Sequence, residues 1–264
     1  MKLFYRKYGS GPNLIILHGL YGSSDNWVTI ARKISSKYTV ILPDLRNHGQ
    51  SPHNSDHNYD VLADDIFELS GDLGINRCIL VGHSMGGRVA MNFALRWPAM
   101  IEALFVVDIS PFGSTDHEDT FYKEHRKILG ALLAIDLKGL DSRDAVESLL
   151  ADKIDSERTR GFLMKNLTRN STGSFEWKLN AESLLINLPN ITGSIINEKE
   201  PLPQVTGFPV YFIKGDKSEY IKPDEFDRIM KIFPAAELIT VKNAGHWIHA
   251  DQPAEIERIF LSLI

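Results

Sequence analysis

The segment Gly82-His83-Ser84-Met85-Gly86 limits the possible fold of this chain more than any other part of the sequence. The apolar run Cys78-Ile79-Leu80-Val81 before it predicts a buried strand, and the residues after it predict a helix. A turn that joins strand to helix so abruptly needs glycines beside Ser84, because side chains there would clash. Such a turn holds the serine hydroxyl above the strand ends, near the first amides of the helix. The motif therefore predicts a strand, a turn and a helix that present Ser84 as a nucleophile.

Short apolar runs alternate with segments of helical spacing over most of the chain, which predicts an α/β fold with a mainly parallel sheet and helices on its faces. The predicted strands are Leu3–Tyr8, Leu14–His18, Thr39–Pro43, Cys78–Gly82, Leu104–Asp108, Val210–Lys214 and Glu237–Val241. The predicted helices are Trp27–Ser36, Tyr59–Leu73, Gly86–Trp97, Pro223–Ile232 and Pro253–Leu263.

The alternation stops between Pro111 and Pro203, where no strand is predicted and apolar residues such as Ile128, Leu132 and Ile135 recur at helical spacing. We interpret residues 111–203 as a helical cap inserted after the strand that ends at Asp108. Residues 1–110 and 204–264 then form the core.

Composition narrows the class of ligand. The 264 residues carry a formal net charge of −5 and no basic run, which argues against nucleic acid or anionic lipid as a partner. No stretch is long and apolar enough to predict a membrane span or a secretory signal, and the single cysteine, Cys78, lies in an apolar run. We expect a cytoplasmic monomer or dimer that acts on a small molecule.

A serine hydroxyl needs a base to take its proton. Among nine histidines, His246 is the best candidate, because Asn243-Ala244-Gly245-His246 forms a short loop after the last predicted strand. We expect His249 to be structural, the His83 side chain to point away from the hydroxyl, and His53 and His57 to be solvated.

The acid that orients the histidine is expected between the serine and the histidine in the chain. Asp108 and Asp216 both follow predicted strands and both qualify, with Asp108 preferred. The loop after the predicted strand Val210–Lys214 has a serine, Ser218, at a position where the acid is often found. We expect Ser218 to add a hydrogen bond to the network of the acid and the histidine.

Two backbone amides are needed to stabilise a developing oxyanion. Met85 follows the nucleophile and supplies one, and the glycine-rich turn after Leu17-His18-Gly19 supplies the other from Leu20. An acyl pocket is expected between the sheet edge and the cap. Each residue that we assign to its wall could equally be a core residue. The wall residues are Leu20, Met85, Phe112, Phe162, Trp177 and Trp247.

Four motifs together resemble the α/β-hydrolase superfamily: Leu17-His18-Gly19, the string from Asp44 to Ser51, the Ser84 motif and Gly245-His246-Trp247. The Arg46-Asn47-His48-Gly49 string, Val107-Asp108-Ile109-Ser110-Pro111 and the segment 175–180 are more particular. They are similar to the branch of small esterases and acyl-CoA thioesterases that includes bacterial esterases and mitochondrial abhydrolase-domain proteins. The resemblance implies Asp108 as the acid, together with Ser218.

The expected activity is hydrolysis of small to medium acyl esters or acyl-CoA thioesters through an acyl-enzyme. No cofactor is needed for this reaction, and the histidines and carboxylates lack the spacing of a metal site. A carbon–carbon bond hydrolase or a menaquinone-pathway lyase on the same fold is an alternative, and a non-enzymatic ligand receptor is a further one. Haloalkane-type dehalogenation is disfavoured, because it requires aspartate in place of Ser84.

Overall fold

The computed structural model describes residues 1–197, 199–222 and 224–262. Seven strands form one sheet in the order β1-β3-β2-β4-β5-β8-β9, in which β1 is antiparallel to β3 and all other neighbours are parallel. A separate antiparallel hairpin consists of β6 and β7. The strands are β1 Tyr5–Tyr8, β2 Asn13–Leu17, β3 Thr39–Pro43, β4 Cys78–His83, β5 Ile101–Val107, β6 Leu167–Arg169, β7 Phe175–Trp177, β8 Val210–Gly215 and β9 Ala236–Val241.

Helices cover both faces of the sheet. They are α1 Val28–Ile34, α2 Tyr59–Asp72, α3 Met85–Arg96, α4 Thr120–Ala134, α5 Arg143–Ala151, α6 Glu157–Leu163, α7 Ala181–Ile186, α8 Leu188–Thr192, α9 Phe226–Ile232, α10 Ile248–Asp251 and α11 Pro253–Ser262. In the part of the chain that is described, none is both long and apolar enough to span a bilayer.

Alternation along the strands creates two hydrophobic cores. Leu14 and Ile16 point to the face covered by α1 and α11, whereas Ile15 and Leu17 point to the face covered by α2, α3 and α9. Strands β2, β3 and β4 are apolar on both faces, because a parallel strand in the middle of a sheet is buried on both sides. The α/β-hydrolase architecture expected from the sequence is therefore confirmed.

All seven predicted strands and all five predicted helices are present, with ends that move by up to a few residues. Two predicted helix ends, Pro223 and Leu263, lie outside the described residues. The prediction that no strand lies between Pro111 and Pro203 is wrong, since β6 and β7 pair there.

The segment between β5 and β8 contains helices α4 to α8 and the small hairpin. We refer to residues 111–203 as the cap; its boundaries stay a prediction. Arg88 of α3 holds both ends of this segment. Its buried guanidinium donates hydrogen bonds to five backbone carbonyl oxygens, two where the chain enters the cap and three around the end of α8, on Ser110, Phe112, Ile191, Thr192 and Gly193.

Candidate active site

The turn at Ser84 is as tight as the sequence predicts. Strand β4 ends at His83 and helix α3 begins at Met85, so Ser84 alone makes the turn, with a φ of 53°. A Cβ atom on Gly82 would lie 2.1 Å from the carbonyl oxygen of Gly86. A Cβ atom on Gly86 would in turn lie 2.5 Å from a carbonyl oxygen of β2. Only glycine fits at these two positions, and the turn depends on both.

His246 lies in the loop after β9 and links two other side chains. Its Nε2 is 2.9 Å from the Oγ of Ser84, and its Nδ1 is 2.8 Å from the Oδ2 of Asp108. Because a carboxylate only accepts, Nδ1 carries the proton and Nε2 is free to accept the serine proton. The arrangement can therefore convert a hydroxyl into a nucleophile.

Asp108 follows β5 and is completely buried, with a φ of 53°. Its Oδ1 accepts a hydrogen bond of 3.1 Å from the amide of Gly215, and its Oδ2 accepts one from the hydroxyl of Ser218. The structure thus brings Asp108 and Ser218 to the histidine. It leaves Asp216 outside, where the exposed carboxyl accepts from the amide of Ala244 at 3.1 Å. Hydrogen bonds from the backbone, first that of Asn243, lower the pKa of Asp216.

The two amides expected to hold an oxyanion lie on either side of Ser84. Met85 is the first residue of α3, so its amide has no acceptor within the helix. Leu20 belongs to the turn after β2, where a Cβ on Gly19 would come within 3.1 Å of the Cβ of Ser84. Leu20 and Met85 both line the cavity that contains Ser84.

This cavity, the Ser84 cavity, has a volume of about 220 Å³ and lies between the sheet edge, helix α4 and the segment after β8. Phe112, predicted as a wall residue, lines it. Phe162 and Trp247 do not, because α6 packs Phe162 against Trp247 with ring centroids 5.1 Å apart. They line a second cavity instead. Trp177 lies in β7 of the hairpin and is in neither lining.

Three residues near the histidine were not found from the sequence. The ring of Tyr220 stacks on the imidazole of His246, with centroids 3.6 Å apart and planes at 15°. The ring of Phe121, in the cap, packs against the Tyr220 ring with centroids 4.5 Å apart. His125 of the cap lines the Ser84 cavity and pairs its Nδ1 with the hydroxyl of Tyr21 at 3.2 Å. Burial, and then the neighbouring His246, lower the pKa of His125 to about 4.

Two further histidines support the loop that carries His246. The Nε2 of His83 lies 2.9 Å from the backbone carbonyl oxygen of His246, which requires the proton on that nitrogen. The ring of His83 also packs against His249 at 4.8 Å. Burial lowers the pKa of both side chains, that of His249 to about 3. Both rings are therefore neutral supports at neutral pH, and the His83 side chain points away from the serine hydroxyl as expected.

The prediction that His57 is solvated is wrong. His57 is fully buried, and its Nδ1 lies 3.2 Å from the side-chain nitrogen Nδ2 of Asn47. Its loop is polar, but the cap covers it: Asn180 donates a backbone hydrogen bond of 3.0 Å to the carbonyl oxygen of Asn47. His53 is exposed, as expected.

Arg46, next to Asn47, forms a buried bidentate ion pair with Asp65 at 2.6 and 2.8 Å. The Arg46-Asn47-His48-Gly49 string is therefore bound to helix α2 through Arg46 and to the cap through Asn47, which agrees with a structural role.

The sheet order, the serine turn and the histidine loop define an α/β hydrolase, and the comparison with known families agrees. The family model for the alpha/beta hydrolase fold matches residues 12–253, so the chain belongs to that family. It is 35% identical over 249 residues to the sn-1-specific diacylglycerol lipase ABHD11 of Danio rerio, covering 94% of this chain and 76% of that protein. It is 29% identical to Esterase YbfF of Escherichia coli, with 93% and 90% covered. The resemblance to abhydrolase-domain proteins and bacterial esterases is confirmed.

A solved structure described as a marine microorganism esterase superimposes with a TM-score of 0.94 at 40% identity, covering 100% of this chain and 99% of that one.

Proposed function

We propose that the chain is a serine carboxylesterase, with Ser84 as nucleophile, His246 as base and Asp108 as the acid. The observation that carries the proposal is the continuous path of hydrogen bonds, 2.9 Å from Ser84 to His246 and 2.8 Å from His246 to Asp108. Esterases and lipases among its relatives support an ester as the substrate.

The reaction proceeds by two acyl transfers. Ser84 attacks the ester carbonyl as His246 takes its proton, and the amides of Leu20 and Met85 stabilise the oxyanion. His246 then donates that proton to the leaving alcohol or thiol as the carbonyl–oxygen or carbonyl–sulfur bond breaks. Water, deprotonated by His246, then attacks the acyl-enzyme. His246 returns that proton to the Oγ of Ser84 as the bond between Ser84 and the acyl group breaks, which releases the acid.

Asp108 holds the His246 imidazole in the tautomer that these reaction steps need, with the proton on Nδ1, and stabilises the imidazolium that forms. Ser218 fixes the carboxylate by donating to the same oxygen that faces the histidine. Phe112 and Ile109 add apolar surface to the Ser84 cavity, and its volume of about 220 Å³ favours small to medium acyl groups. Oxygen esters and thioesters both meet these requirements. The cytoplasmic location and the monomeric or dimeric state stay predictions.

The test is hydrolysis of p-nitrophenyl esters and acyl-CoA thioesters of graded acyl length by the wild type and three variants. We expect Ser84→Ala to abolish turnover and Asp108→Asn to lower kcat by about 10⁴-fold, the effect of stabilising the wrong tautomer. Asp216→Asn is the matched control and keeps wild-type kcat, since an amide oxygen still accepts from Ala244. An active Ser84→Ala enzyme, or a wild type without turnover on any ester, contradicts the proposal and favours carbon–carbon bond hydrolysis.

A further inference from the structure

A second cavity, of about 600 Å³, lies beside the loop that carries His246, and its described lining residues differ from those of the Ser84 cavity. Its wall combines the start of α1, helix α6 with Lys165, and residues that follow His246. Trp247 comes directly after His246, so their Cα atoms are about 3.8 Å apart. Asn26 follows closely after the turn that contains Leu20. The wall of this cavity therefore includes part of the loop that carries the base.

The charged groups of this wall leave an excess of positive charge. Arg158 and Lys165 are its cations and Asp25 is its carboxylate. Asp25 is already paired with Arg6 at 2.7 Å. Within residues 1–197, 199–222 and 224–262, no carboxylate lies within 4 Å of the Lys165 ammonium. In a chain with a net charge of −5, this local excess indicates an anionic ligand.

The uncharged part of the wall suits a ligand with an organic part as well. The guanidinium of Arg158 lies 4.7 Å from the centroid of the Trp247 ring, and the ammonium of Lys165 lies 6.0 Å from that of Phe162. Asn26 and Thr29 add amide and hydroxyl groups. Burial is the largest cause of the lowered pKa of His249 in the same wall; the neighbouring His246, Lys165 and Arg158 lower it further, and Asp251 raises it.

Arg158 and Lys165 have different duties. Arg158 pairs with Asp251 at 2.5 Å, and the other oxygen of Asp251 accepts from the amide of Gly245 at 2.8 Å. Arg158 thus also supports the loop of His246. Among the described residues, Lys165 has no carboxylate partner of this kind, which leaves its ammonium to bind an anionic ligand.

We propose that the second cavity binds a phosphate group on the leaving alcohol or thiol, with Lys165 as its ion partner and with Trp247 and Phe162 against the organic part. The proposal rests on the proposed ester hydrolysis. The leaving group is the half of the substrate that His246 protonates, whereas the acyl half attaches to Ser84 in the other cavity. A phosphate gives the Lys165 ammonium an anionic partner, which a neutral alcohol cannot do.

The test uses two pairs of substrates that differ only by a phosphate group. One pair is S-butyryl-4′-phosphopantetheine and S-butyrylpantetheine, and the other is 1-butyrylglycerol 3-phosphate and 1-butyrylglycerol. The readout is the ratio of kcat/KM within each pair. We expect the phosphate to raise kcat/KM about fivefold in at least one pair, as one partly exposed ion pair would, and to do so less at high salt. The pair that responds identifies the leaving group as a thiol or as a glycerol.

Lys165→Gln should bring the ratio close to one. The matched control is Lys222→Gln, which removes a cation from the Ser84 cavity and should keep the wild-type ratio. Equal kcat/KM within both pairs for the wild type overturns the proposal, and so does loss of the ratio in Lys222→Gln but not in Lys165→Gln. Hydrolysis of p-nitrophenyl butyrate separates the two ideas: its absence contradicts ester hydrolysis itself, while its presence with equal ratios contradicts only the phosphate site.

Discussion

Mild acid should unfold this protein, because burial keeps several of its histidines neutral in the folded state. Burial is the largest cause of a lowered pKa at six of them: His18, His48, His57, His83, His125 and His249. The unfolded chain keeps the ordinary histidine pKa of about 6.5. As the pH falls below that value, these histidines bind protons in the unfolded state but not in the folded state. These side chains therefore contribute stability that is present above about pH 6.5 and is lost as the pH falls toward their folded pKa values.

The size of the effect can be worked out from three of these histidines. The folded pKa is about 3 for His57 and His249 and about 4 for His125. Each of these three histidines then lowers the free energy of unfolding by about 1 kcal/mol as the pH falls from about 6 to about 5. Together they remove about 3 kcal/mol, and the other three act in the same direction. Since a domain is typically stable by about 5–15 kcal/mol, the protein should approach its unfolding midpoint near pH 5.

The assay is urea unfolding followed by circular dichroism at several pH values from about 7.5 to about 5. The slope of unfolding free energy against pH gives the number of protons taken up on unfolding, which should reach at least about three. His57→Gln should lower that number by up to one, whereas the exposed His53→Gln should leave it unchanged. A free energy of unfolding that stays within about 1 kcal/mol between pH 6.5 and pH 5 would refute the reasoning.

Three substitutions test the contacts around the site. Ser218→Ala removes a donor to the Asp108 carboxylate and should lower kcat about tenfold with little change in KM, in steady-state assays with p-nitrophenyl butyrate; an unchanged kcat would make Ser218 dispensable. Tyr220→Leu loses the ring that stacks on His246 and should lower kcat about fivefold, whereas Tyr220→Phe keeps the ring and should keep the wild-type kcat. Equal losses of kcat in the two variants would contradict a stacking role. Arg88→Met leaves five carbonyls without their donor and should cost at least about 3 kcal/mol in urea unfolding, with less than about 1 kcal/mol as the contrary result.

The sheet could be predicted because its strands carry their own signal. A run such as Leu14-Ile15-Ile16-Leu17 is apolar at every position, which few structures other than a doubly buried strand require. The hairpin β6–β7 has no such signal. Each of its strands is three residues long and has one buried residue, Leu167 or Phe175. Its pairing depends on packing within the cap, which periodicity in the sequence does not report.

The positions of Ser84, Asp108 and His246 could be predicted because each follows a parallel strand, and the ends of such strands share one edge of the sheet. The wall of the cavity could not, because it depends on which way the cap helices turn. Phe162 faces Trp247 in the second cavity, and Phe121 reaches Tyr220 instead. His57 was misjudged for the same reason, since a cap residue far along the chain covers its polar loop.

The cap contacts both halves of the candidate catalytic apparatus at single side chains. On the oxyanion side, Asn166 donates a hydrogen bond of 2.8 Å to the carbonyl oxygen of Tyr21, the residue after Leu20. On the base side, Phe121 backs the tyrosine ring that stacks on His246. A displaced cap would therefore shift the groups that stabilise charge in the transition state as well as the substrate. Since such groups act on kcat, substitutions that loosen the cap should lower kcat even where they do not touch the acyl group.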